Sequence, residues 1–447
     1  MMEENVSAIA TAAGKGGVAI IRISGKSPLS IAEKMFTPTG KTPVKDFQPY
    51  RMYTGNIDGG NFTDFGLCVY FKAPYSYTGE DVVEFHCHGG ETIARGILKR
   101  TFYHGAKSAG KGEFTKRAFL NGKLSLASAE GIADMINGES EAEVKAGYLL
   151  YNEKLTLAVR DLQERLKTLL AGVDVSVDYP EEDIEEQHIE ELSFALAKIK
   201  AELDGLCAGY AVGKKIKSGV SVVLCGKPNT GKSSLLNTLL GYEKAIVSSV
   251  AGTTRDAVEG TIEIEGRKFN LYDTAGVRES GDKIESIGIE RAQSLIKAAD
   301  VAVFITDFES GIEDEDVRVL EMLQGKPLIK VINKADLSKD ETETDADVIT
   351  SAVTGAGIVK LKQLLYEKSF GARTEDMAFL IEERHYAALK SAREHILLAI
   401  QACKTGQPLD LISIDVKSAW TMLGEITGET ATEAIIEEIF SKFCVGK

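Results

Sequence analysis

A phosphate-binding loop is the feature that most restricts how this chain can fold. Residues 226–233 read G-K-P-N-T-G-K-S, which matches the pattern G-x-x-x-x-G-K-[ST]. The apolar, β-branched run Val220–Cys225 precedes the loop, and residues 234–240 after it have helical spacing. In a strand–loop–helix unit of this kind, backbone N–H groups and the helix dipole surround phosphate groups. The sequence therefore predicts binding of a nucleoside triphosphate.

The polar side chains of this loop have expected roles. Lys232 is expected to reach the β- and γ-phosphate oxygens, and the Ser233 hydroxyl is expected to bind Mg²⁺. The other loop residues predicted to contact the nucleotide are Asn229, Thr230, Gly231 and Ser234.

A second motif, Asn333-Lys334-Ala335-Asp336, follows the apolar run at 328–332 and indicates which base is bound. The Asp336 carboxylate can accept from N1–H and the 2-amino group of guanine, whereas adenine would leave it unpaired at a cost that excludes ATP. Ser351-Ala352 fits a backbone contact to the guanine O6. Alone, N-K-x-D is as well explained by a turn after a strand, but here it follows a phosphate loop in the expected order. Guanine is the predicted base.

Two further motifs lie between these, at residues 252–256 (G-T-T-R-D) and 273–276 (D-T-A-G). Thr254 is expected to complete the Mg²⁺ shell when a γ-phosphate is present. Asp273 should hold the ion through water, and the Gly276 N–H can sense the γ-phosphate. The four motifs in this order predict a GTPase.

Val277, directly after the D-T-A-G motif, differs from the usual GTPase sequence. Many GTPases have a glutamine at this position that orients the attacking water. Valine cannot do this, so another residue must. The acidic stretch 279–290 is the nearest source, although any one of its carboxylates is more simply explained as part of a solvated helix face. Arg255 and Arg278 are candidates for stabilising charge, and the sequence leaves their orientation open.

Length and composition limit the class of protein. A chain of 447 residues suits about three domains. The formal charge of −15, from 67 acidic and 52 basic residues, argues against a uniformly basic protein that coats nucleic acid. Six separated cysteines without a C-x-x-C pair are typical of reduced thiols in a cytoplasmic protein. We find no signal-peptide pattern or membrane-spanning apolar run, so no membrane partner is expected.

The pattern along the chain predicts the domain order. Residues 1–120 alternate in short runs broken by glycine, which predicts a compact α+β domain. Helical spacing dominates residues 121–212 and returns in 372–447, on either side of the nucleotide motifs in 213–371. One helical domain with an inserted G-domain explains this most economically. Two separate helical domains are the alternative, but the second would have only about 70 residues to form a core.

Other motifs extend over the whole length of the chain. They are residues 16–25 (G-G-V-A-I-I-R-I-S-G), 78–81 (T-G-E-D) with 88–90 (H-G-G), 112–114 (G-E-F) with 117–121 (R-A-F-L-N), and the tail 443–447 (F-C-V-G-K). Together with the nucleotide motifs they resemble the tRNA uridine-modification GTPases of the MnmE (TrmE) family. The resemblance implies a multidomain α/β protein with an N-terminal α+β domain for folate binding and dimerisation, a central all-helical domain and an inserted Ras-like P-loop GTPase domain.

The resemblance also implies a reaction. With a flavin-dependent partner, MnmG (GidA), family members add an aminomethyl-type group, carboxymethylaminomethyl or aminomethyl, to carbon 5 of the wobble uridine of tRNA. The carbon comes from a tetrahydrofolate derivative (5-formyl- or 5,10-methylene-tetrahydrofolate). GTP is hydrolysed to GDP and phosphate, and the two G-domains of a homodimer meet with K⁺ at their interface. The ion would offset transition-state charge as an arginine finger does.

Family roles in GTP hydrolysis fall on matching positions of this sequence. Glu285, within I-E-S-I-G at 284–288, matches the catalytic glutamate that orients the attacking water through a bridging water, which answers the question raised by Val277. The implied K⁺ ligands are Asn229, Ser248, Val250 and Thr253. The implied nucleotide contacts around them and after Asp273 are Ser249, Ala251, Gly252, Thr274 and Ala275.

For folate, the resemblance implies Arg22, Glu84 and Lys123, with Lys447 contributing to the same pocket. A carboxylate can pair with the pterin 2-amino group and N3–H, and cations suit a glutamate tail. Without the resemblance, Glu84 would be interpreted as a strand-end carboxylate and Arg22 as a surface residue. Cys444 matches a near-terminal cysteine and is a candidate functional thiol, although a lone cysteine is usually inert packing.

The sequence gives weaker evidence for a tRNA-binding surface than for the nucleotide site. Residues 95–123 carry eight Lys and Arg side chains against one acid, Glu113, a patch that suits phosphates. A solvated cationic face or a site for the folate tail explains the patch equally well, and the partner can supply most of the tRNA affinity. The nucleotide motifs alone also leave open a GTPase that gates an assembly, such as a ribosome-assembly factor, and a folate-dependent enzyme that its G-domain regulates.

Overall fold

The computed structural model describes residues 4–178, 185–241, 260–273, 293–307, 314–337, 345–371 and 382–447. The chain divides into two compact units. One comprises Met1–Ala133, Leu149–Ile199 and Ser391–Lys447, and the other Asp134–Tyr148 and Lys200–Lys390. The expected multidomain α/β class is confirmed, and the domain boundaries drawn from the sequence stay predictions.

The N-terminal part of the first unit contains a seven-stranded sheet with order β3-β4-β5-β6-β2-β1-β7. Neighbouring strands are antiparallel except β1 and β7, which are parallel. Helices α1 and α2 pack on the sheet around buried residues such as Ile21, Phe85 and Ile97. The elements are β1 (Val6–Ile9), β2 (Val18–Gly25), α1 (Pro28–Met35), β3 (Phe36–Pro38), β4 (Met52–Asp58), β5 (Thr63–Phe71), β6 (Asp81–His88), α2 (Glu91–Tyr103), β7 (Lys107–Ser108) and α3 (Glu113–Leu120).

Helices then replace strands, as the change from alternating to helical spacing predicts. They are α4 (Leu126–Asn137), α5 (Glu141–Tyr151), α6 (Lys154–Asp178), α7 (Glu185–Ala208) and α8 (Tyr210–Ser218). The first part of α5 lies in the second unit, where the side chain of Ala146 belongs to the main apolar core.

The second unit is built on a six-stranded sheet of order β13-β12-β11-β8-β10-β9, in which β9 alone is antiparallel to its neighbour. Apolar clusters cover both faces, which explains why its central strands are continuous apolar runs. Helices α9 and α11 contribute to one cluster and α10 to the other. The elements are β8 (Val220–Cys225), α9 (Lys232–Gly241), β9 (Gly260–Ile264), β10 (Arg267–Asp273), β11 (Val301–Asp307), α10 (Asp314–Met322), β12 (Leu328–Asn333), β13 (Val348–Ile349) and α11 (Ile358–Phe370).

The remaining helices are α12 (Glu383–Lys404), α13 (Leu409–Thr427) and α14 (Glu433–Ser441). Within the first unit α13 packs along α6, and α14 shares an apolar cluster with α4 that includes Leu126, Ile439 and Phe440. Helices from before and after the nucleotide motifs therefore pack against each other within the first unit. None of the helices that the structure describes has the length and hydropathy needed to cross a membrane.

Candidate nucleotide and folate sites

The phosphate loop, residues 226–231, connects the central strand β8 to helix α9, and its geometry requires the two glycines of the motif. Gly226 has a φ of 142°, and a Cβ there would lie 2.1 Å from the carbonyl oxygen of Ile305 on β11. Gly231 has a φ of 87°, and a Cβ there would lie 2.3 Å from Nδ2 of Asn333. Only glycine fits both positions, because the loop passes directly over the ends of two neighbouring strands.

Side chains of the phosphate loop and of Lys232 directly after it donate hydrogen bonds to the backbone of the loop. The buried amine of Lys232 donates hydrogen bonds to the carbonyl oxygens of Gly226, at 2.9 Å, and Lys227, at 2.5 Å. The Thr230 hydroxyl donates to the same Lys227 oxygen at 3.0 Å. Asn229 is exposed and has a φ of 65°, a left-handed conformation that asparagine tolerates better than most residues. The loop thus holds one ammonium group inside its curve.

Ser233 and Asp273 meet at the start of helix α9. The Ser233 hydroxyl donates to Oδ2 of Asp273 at 2.8 Å. Asp273 ends β10, which is parallel to β8 and pairs Asp273 with Leu224, so its buried carboxylate emerges at the same edge as the loop. A hydroxyl and a carboxylate are hard oxygen ligands of the kind that Mg²⁺ prefers. The pair fits the predicted ion site.

The base-recognition motif is joined to the phosphate loop by Asn333. Its side-chain amide donates to the carbonyl oxygen of Thr230 at 3.1 Å, and its Oδ1 accepts from the Thr350 hydroxyl at 3.2 Å. Asn333 is buried, so these partners satisfy an amide that would otherwise be costly. The asparagine therefore has a structural role between three loops, which the sequence motif did not indicate.

Asp336 is exposed, with its Oδ1 accepting from the Ser351 hydroxyl at 2.5 Å. The two predicted base-binding segments are thus in direct contact. Lys334 has a φ of 62°, and its amine lies 2.7 Å from Oδ2 of Asp307 at the end of β11.

The loop that carries Ser351 and Ala352 is also tied to the helix after the phosphate loop. The Thr238 hydroxyl on α9 donates to the carbonyl oxygen of Ala352 at 2.9 Å. Within the loop, the Ser351 N–H donates to the carbonyl oxygen of Ala356 at 3.0 Å. All described nucleotide motifs therefore lie at one edge of the sheet, where the carboxyl ends of parallel strands meet.

Several predicted site residues lie outside the described residues. They are Ser248, Ser249, Val250, Ala251, Gly252, Thr253, Thr254, Thr274, Ala275, Gly276 and Glu285. Their roles in ion binding, γ-phosphate sensing and catalysis stay predictions.

In the first unit, Arg22 and Glu84 face each other across β2 and β6. Arg22 Nε lies 2.7 Å from Glu84 Oε1, and its guanidinium carbon lies 5.6 Å and 5.3 Å from the ring centres of Tyr77 and Phe114. Burial acts to raise the pKa of Glu84, but the hydrogen bond from His86 at 3.2 Å and the Arg22 charge outweigh it, so the pKa is lowered. The carboxylate is therefore ionised at neutral pH, and it has lone pairs beyond those used by two donors.

The last four residues of the C-terminal tail, 444–447, lie beside this pair. The Phe114 N–H donates to the carbonyl oxygen of Lys447 at 3.0 Å, and the ring of Phe114 contacts Arg22. Gly446 has a φ of 98°, and a Cβ there would lie 2.0 Å from the carbonyl oxygen of Ile9. The tail passes so close to the end of β1 that only glycine fits. The structure thus brings Arg22, Glu84 and the Lys447 backbone into one region.

The two other predicted residues lie near this region. The Lys123 amine donates to the carbonyl oxygen of Pro74 at 3.1 Å, and its Cγ would lie 3.3 Å from a Cβ at Gly79, so Lys123 contacts the segment between β5 and β6. Cys444 is an exposed free thiol whose carbonyl oxygen accepts from the Gly112 N–H at 3.3 Å.

A buried network that the sequence reasoning missed explains two of the N-terminal motifs. Arg117 Nη1 lies 2.9 Å from Glu80 Oε2, and both side chains are less than 5% exposed, at 3% and 4%. The Ser24 hydroxyl donates to the same carboxylate at 2.8 Å and contacts the Thr78 hydroxyl at 2.8 Å. These residues of the T-G-E-D and R-A-F-L-N motifs therefore hold the domain together. The sequence signal that could have indicated this network is Arg117, a charged residue on the apolar face of the short helix α3.

Ion pairs with acidic residues reduce the free positive charge of the basic patch expected at residues 95–123. Four of its eight cationic side chains are in ion pairs with acidic neighbours: Arg95 with Glu91, Arg100 with Asp58, Lys107 with Glu4 and Arg117 with Glu80. Arg117 is also buried. The patch is therefore a weaker attractor of phosphates than its composition indicates.

Comparisons with known proteins match the chain from end to end. A family model described as "GTP-binding protein TrmE N-terminus" matches residues 5–123, and one described as "MnmE helical domain" matches residues 126–444. The tRNA modification GTPase MnmE of Moorella thermoacetica is 40% identical over 466 residues, which cover 100% of both chains. That of Desulforamulus reducens is 37% identical over 461 residues, again with 100% of both chains covered. The chain belongs to the MnmE family. As an MnmE-family protein it is a GTP hydrolase, and the nucleotide motifs at the edge of the six-stranded sheet are its candidate active site.

Proposed function

We propose that this MnmE-family GTPase is stimulated by K⁺ and modifies tRNA together with a FAD-dependent partner, MnmG (GidA). It uses the one-carbon unit of a tetrahydrofolate derivative, 5-formyl- or 5,10-methylene-tetrahydrofolate. The product carries an aminomethyl-type group, carboxymethylaminomethyl or aminomethyl, on C5 of the wobble uridine. GTP is hydrolysed to GDP and phosphate during the modification reaction.

The observation that carries the GTPase assignment is the convergence of two contacts at one sheet edge. Ser233 with Asp273 lies at the start of α9, and Asp336 with Ser351 lies at the end of β12. The first pair consists of hard oxygen atoms of the kind that suit Mg²⁺, and the second includes a carboxylate whose chemistry suits a base with two adjacent donors. Asn333 joins both sites through Thr230. Phosphate and base recognition therefore belong to a single site.

In this site the chain's own residues bind and orient GTP. Loop N–H groups and the Lys232 amine bind the phosphates, while Ser233 and Thr254 with Asp273 would hold Mg²⁺, which neutralises charge on the β- and γ-oxygens. Glu285 would orient the attacking water, a role that Val277 cannot fill. Asn229 with residues 248–253 would hold K⁺.

Folate binding is supported by the arrangement around Arg22. An ionised, partly satisfied Glu84 carboxylate suits the pterin 2-amino group and N3–H. The adjacent C-terminal tail brings Lys447 to the same module, and Lys123 lies on the segment between β5 and β6. Cations at these positions suit the glutamate tail of a folate, and Cys444 is an exposed thiol of the C-terminal tail.

The partners follow from this function. A homodimer brings two G-domains together, and the flavoprotein MnmG supplies the redox chemistry of its flavin. With a net charge of −15 and a basic patch half occupied by ion pairs, this chain is expected to contribute only part of the tRNA affinity. The reaction takes place in the cytoplasm, where its tRNA substrate is found.

Reconstitution tests this proposal. The full-length protein is incubated with FAD-loaded MnmG, unmodified tRNA, GTP, KCl, 5,10-methylene-tetrahydrofolate and an amine that supplies the nitrogen, ammonium for the aminomethyl product or glycine for the carboxymethylaminomethyl product. The digested nucleosides are identified by mass spectrometry. A mass increase on the wobble uridine that requires both proteins and the folate supports the proposal. A control with Arg22→Ala should hydrolyse GTP but give no product. GTP hydrolysis without any folate binding would instead favour a GTPase that gates an assembly.

A further inference from the structure

A second lysine of the phosphate loop is held by a carboxylate from outside the nucleotide motifs. Lys227 Nζ lies 2.8 Å from Oδ2 of Asp316, the third residue of helix α10. The Asp316 side chain is 1% exposed and that of Lys227 12%. Two charges withdrawn from water to this extent stabilise each other, and removing either one takes a close ion-pair partner from the other.

The position of Lys227 in the loop connects this ion pair to the phosphate-binding lysine. The Lys227 carbonyl oxygen accepts hydrogen bonds from the Lys232 amine, at 2.5 Å, and from the Thr230 hydroxyl, at 3.0 Å. The residue held by Asp316 is thus the one that closes the loop around the phosphate-binding lysine. A displacement of Lys227 would move that carbonyl and, with it, the path of the loop.

An ion pair elsewhere in the same unit provides the contrast. Lys330 Nζ lies 2.5 Å from Oδ2 of Asp345, but these side chains are 43% and 93% exposed. Exposed pairs contribute little, because water and salt screen them and two long side chains must be ordered. Close approach alone therefore does not distinguish the two pairs, whereas burial and attachment to the loop do.

We propose that Asp316 is a positioning residue for the nucleotide: through Lys227 it holds the phosphate loop in the conformation that binds the β- and γ-phosphates. The inference rests on the proposed GTP site. Because Asp316 acts on the ground-state binding of the β-phosphate, which GTP and GDP share, its loss removes uniform binding. Such a loss raises KM and the Kd for GDP while leaving kcat nearly unchanged.

The test compares Asp316→Asn with Asp345→Asn in the full-length protein. The Kd of a fluorescent methylanthraniloyl-GDP and the KM and kcat of GTP hydrolysis are measured for both. We expect Asp316→Asn to raise the GDP Kd and the GTP KM about tenfold, equivalent to about 1.4 kcal/mol, with kcat within about threefold of wild type. Asp345→Asn should match wild type. An unchanged KM in Asp316→Asn, or a fall in kcat at constant KM, would overturn the proposal.

Variants of Lys227 keep the test valid if Asp316→Asn does not fold. Lys227→Met should raise the GDP Kd as Asp316→Asn does, and Lys227→Arg, which can still pair with Asp316, should restore most of the lost affinity. Equal affinities in the Met and Arg variants would refute the role of the ion pair. A wild-type protein that neither binds nor hydrolyses GTP would instead refute the GTP site itself, so the two failures are distinct.

Discussion

Replacing Gly446 by alanine is expected to detach the C-terminal tail from the N-terminal domain. At the observed φ of 98° an alanine is strained by about 1–2 kcal/mol. Its Cβ would also lie 2.0 Å from the carbonyl oxygen of Ile9, although Cβ atoms in proteins essentially never come within 3.0 Å of another heavy atom. One of the two segments must therefore move by about 1 Å or more.

The tail is the segment that moves. Strand β1 is hydrogen-bonded on both sides, to β2 and β7. The tail is held by backbone hydrogen bonds from Phe114 to Lys447 and from Gly112 to Cys444. At about 1 kcal/mol each, these two bonds contribute about 2 kcal/mol, which is comparable to the φ strain of alanine alone. The clash with the Ile9 carbonyl oxygen adds to that strain and favours detachment. Detachment would remove Lys447 from the proposed folate site, and GTP hydrolysis should stay unchanged.

Hydrogen exchange of the Phe114 amide reports detachment of the tail directly, because that N–H donates to the carbonyl oxygen of Lys447. A loss of about 2 kcal/mol corresponds to about 30-fold faster exchange, and 5-formyl-tetrahydrofolate should bind at least about tenfold more weakly by calorimetry. Gly406→Ala is the matched control, since Gly406 has a φ of 64° but no atom lies within 4 Å of its Cβ position. Equal Phe114 exchange rates in Gly446→Ala and Gly406→Ala would refute the reasoning.

Three further predictions concern the buried ion pair, the base and pH. Arg117→Met leaves Glu80 buried without its partner and should lower the free energy of unfolding by about 3–5 kcal/mol in urea titrations, whereas Arg95→Met, at an exposed pair, should change it by less than about 0.5 kcal/mol. Asp336→Asn should shift the preference from GTP toward xanthosine triphosphate in hydrolysis assays, and an unaltered preference would contradict its pairing with the base. Because the folded-state pKa of Glu84 lies below its ordinary 4.5, its stabilising contribution is complete above pH 4.5 and is lost as pH falls through the folded value. The difference in melting temperature between wild type and Glu84→Gln should therefore shrink below pH 4.5.

Local features of the G-domain could be predicted from the sequence. The apolar run Val220–Cys225, the glycines of the loop and the helical spacing after it define a strand, a turn and a helix over neighbouring residues. The N-K-x-D segment could be assigned because it follows an apolar run and comes after a phosphate loop in the expected order, with Ser351 behind it.

Contacts between distant segments could not be predicted in this way. Phe114 and Lys447 are more than 300 residues apart, and Lys227 and Asp316 almost 90. The periodicity of a sequence predicts which face of a helix or strand is buried. It does not predict which distant charged residue pairs with a charge on that face. Arg117 illustrates this, since its sequence neighbourhood predicts a cationic surface while its partner Glu80 makes it part of the core. The resemblance to a family indicated Lys447, and the geometry supplies the physical reason that the tail lies there.

The most direct test of the proposed mechanism is steady-state GTP hydrolysis in KCl and in NaCl at matched ionic strength, with wild type, Asn229→Ala and Glu285→Ala. We expect strong stimulation of the wild type by K⁺, loss of that stimulation in Asn229→Ala, and retained GTP affinity without turnover in Glu285→Ala. Equal slow rates of the wild type in both salts would contradict the account, because a GTPase of that behaviour would need an external activator in place of the ion.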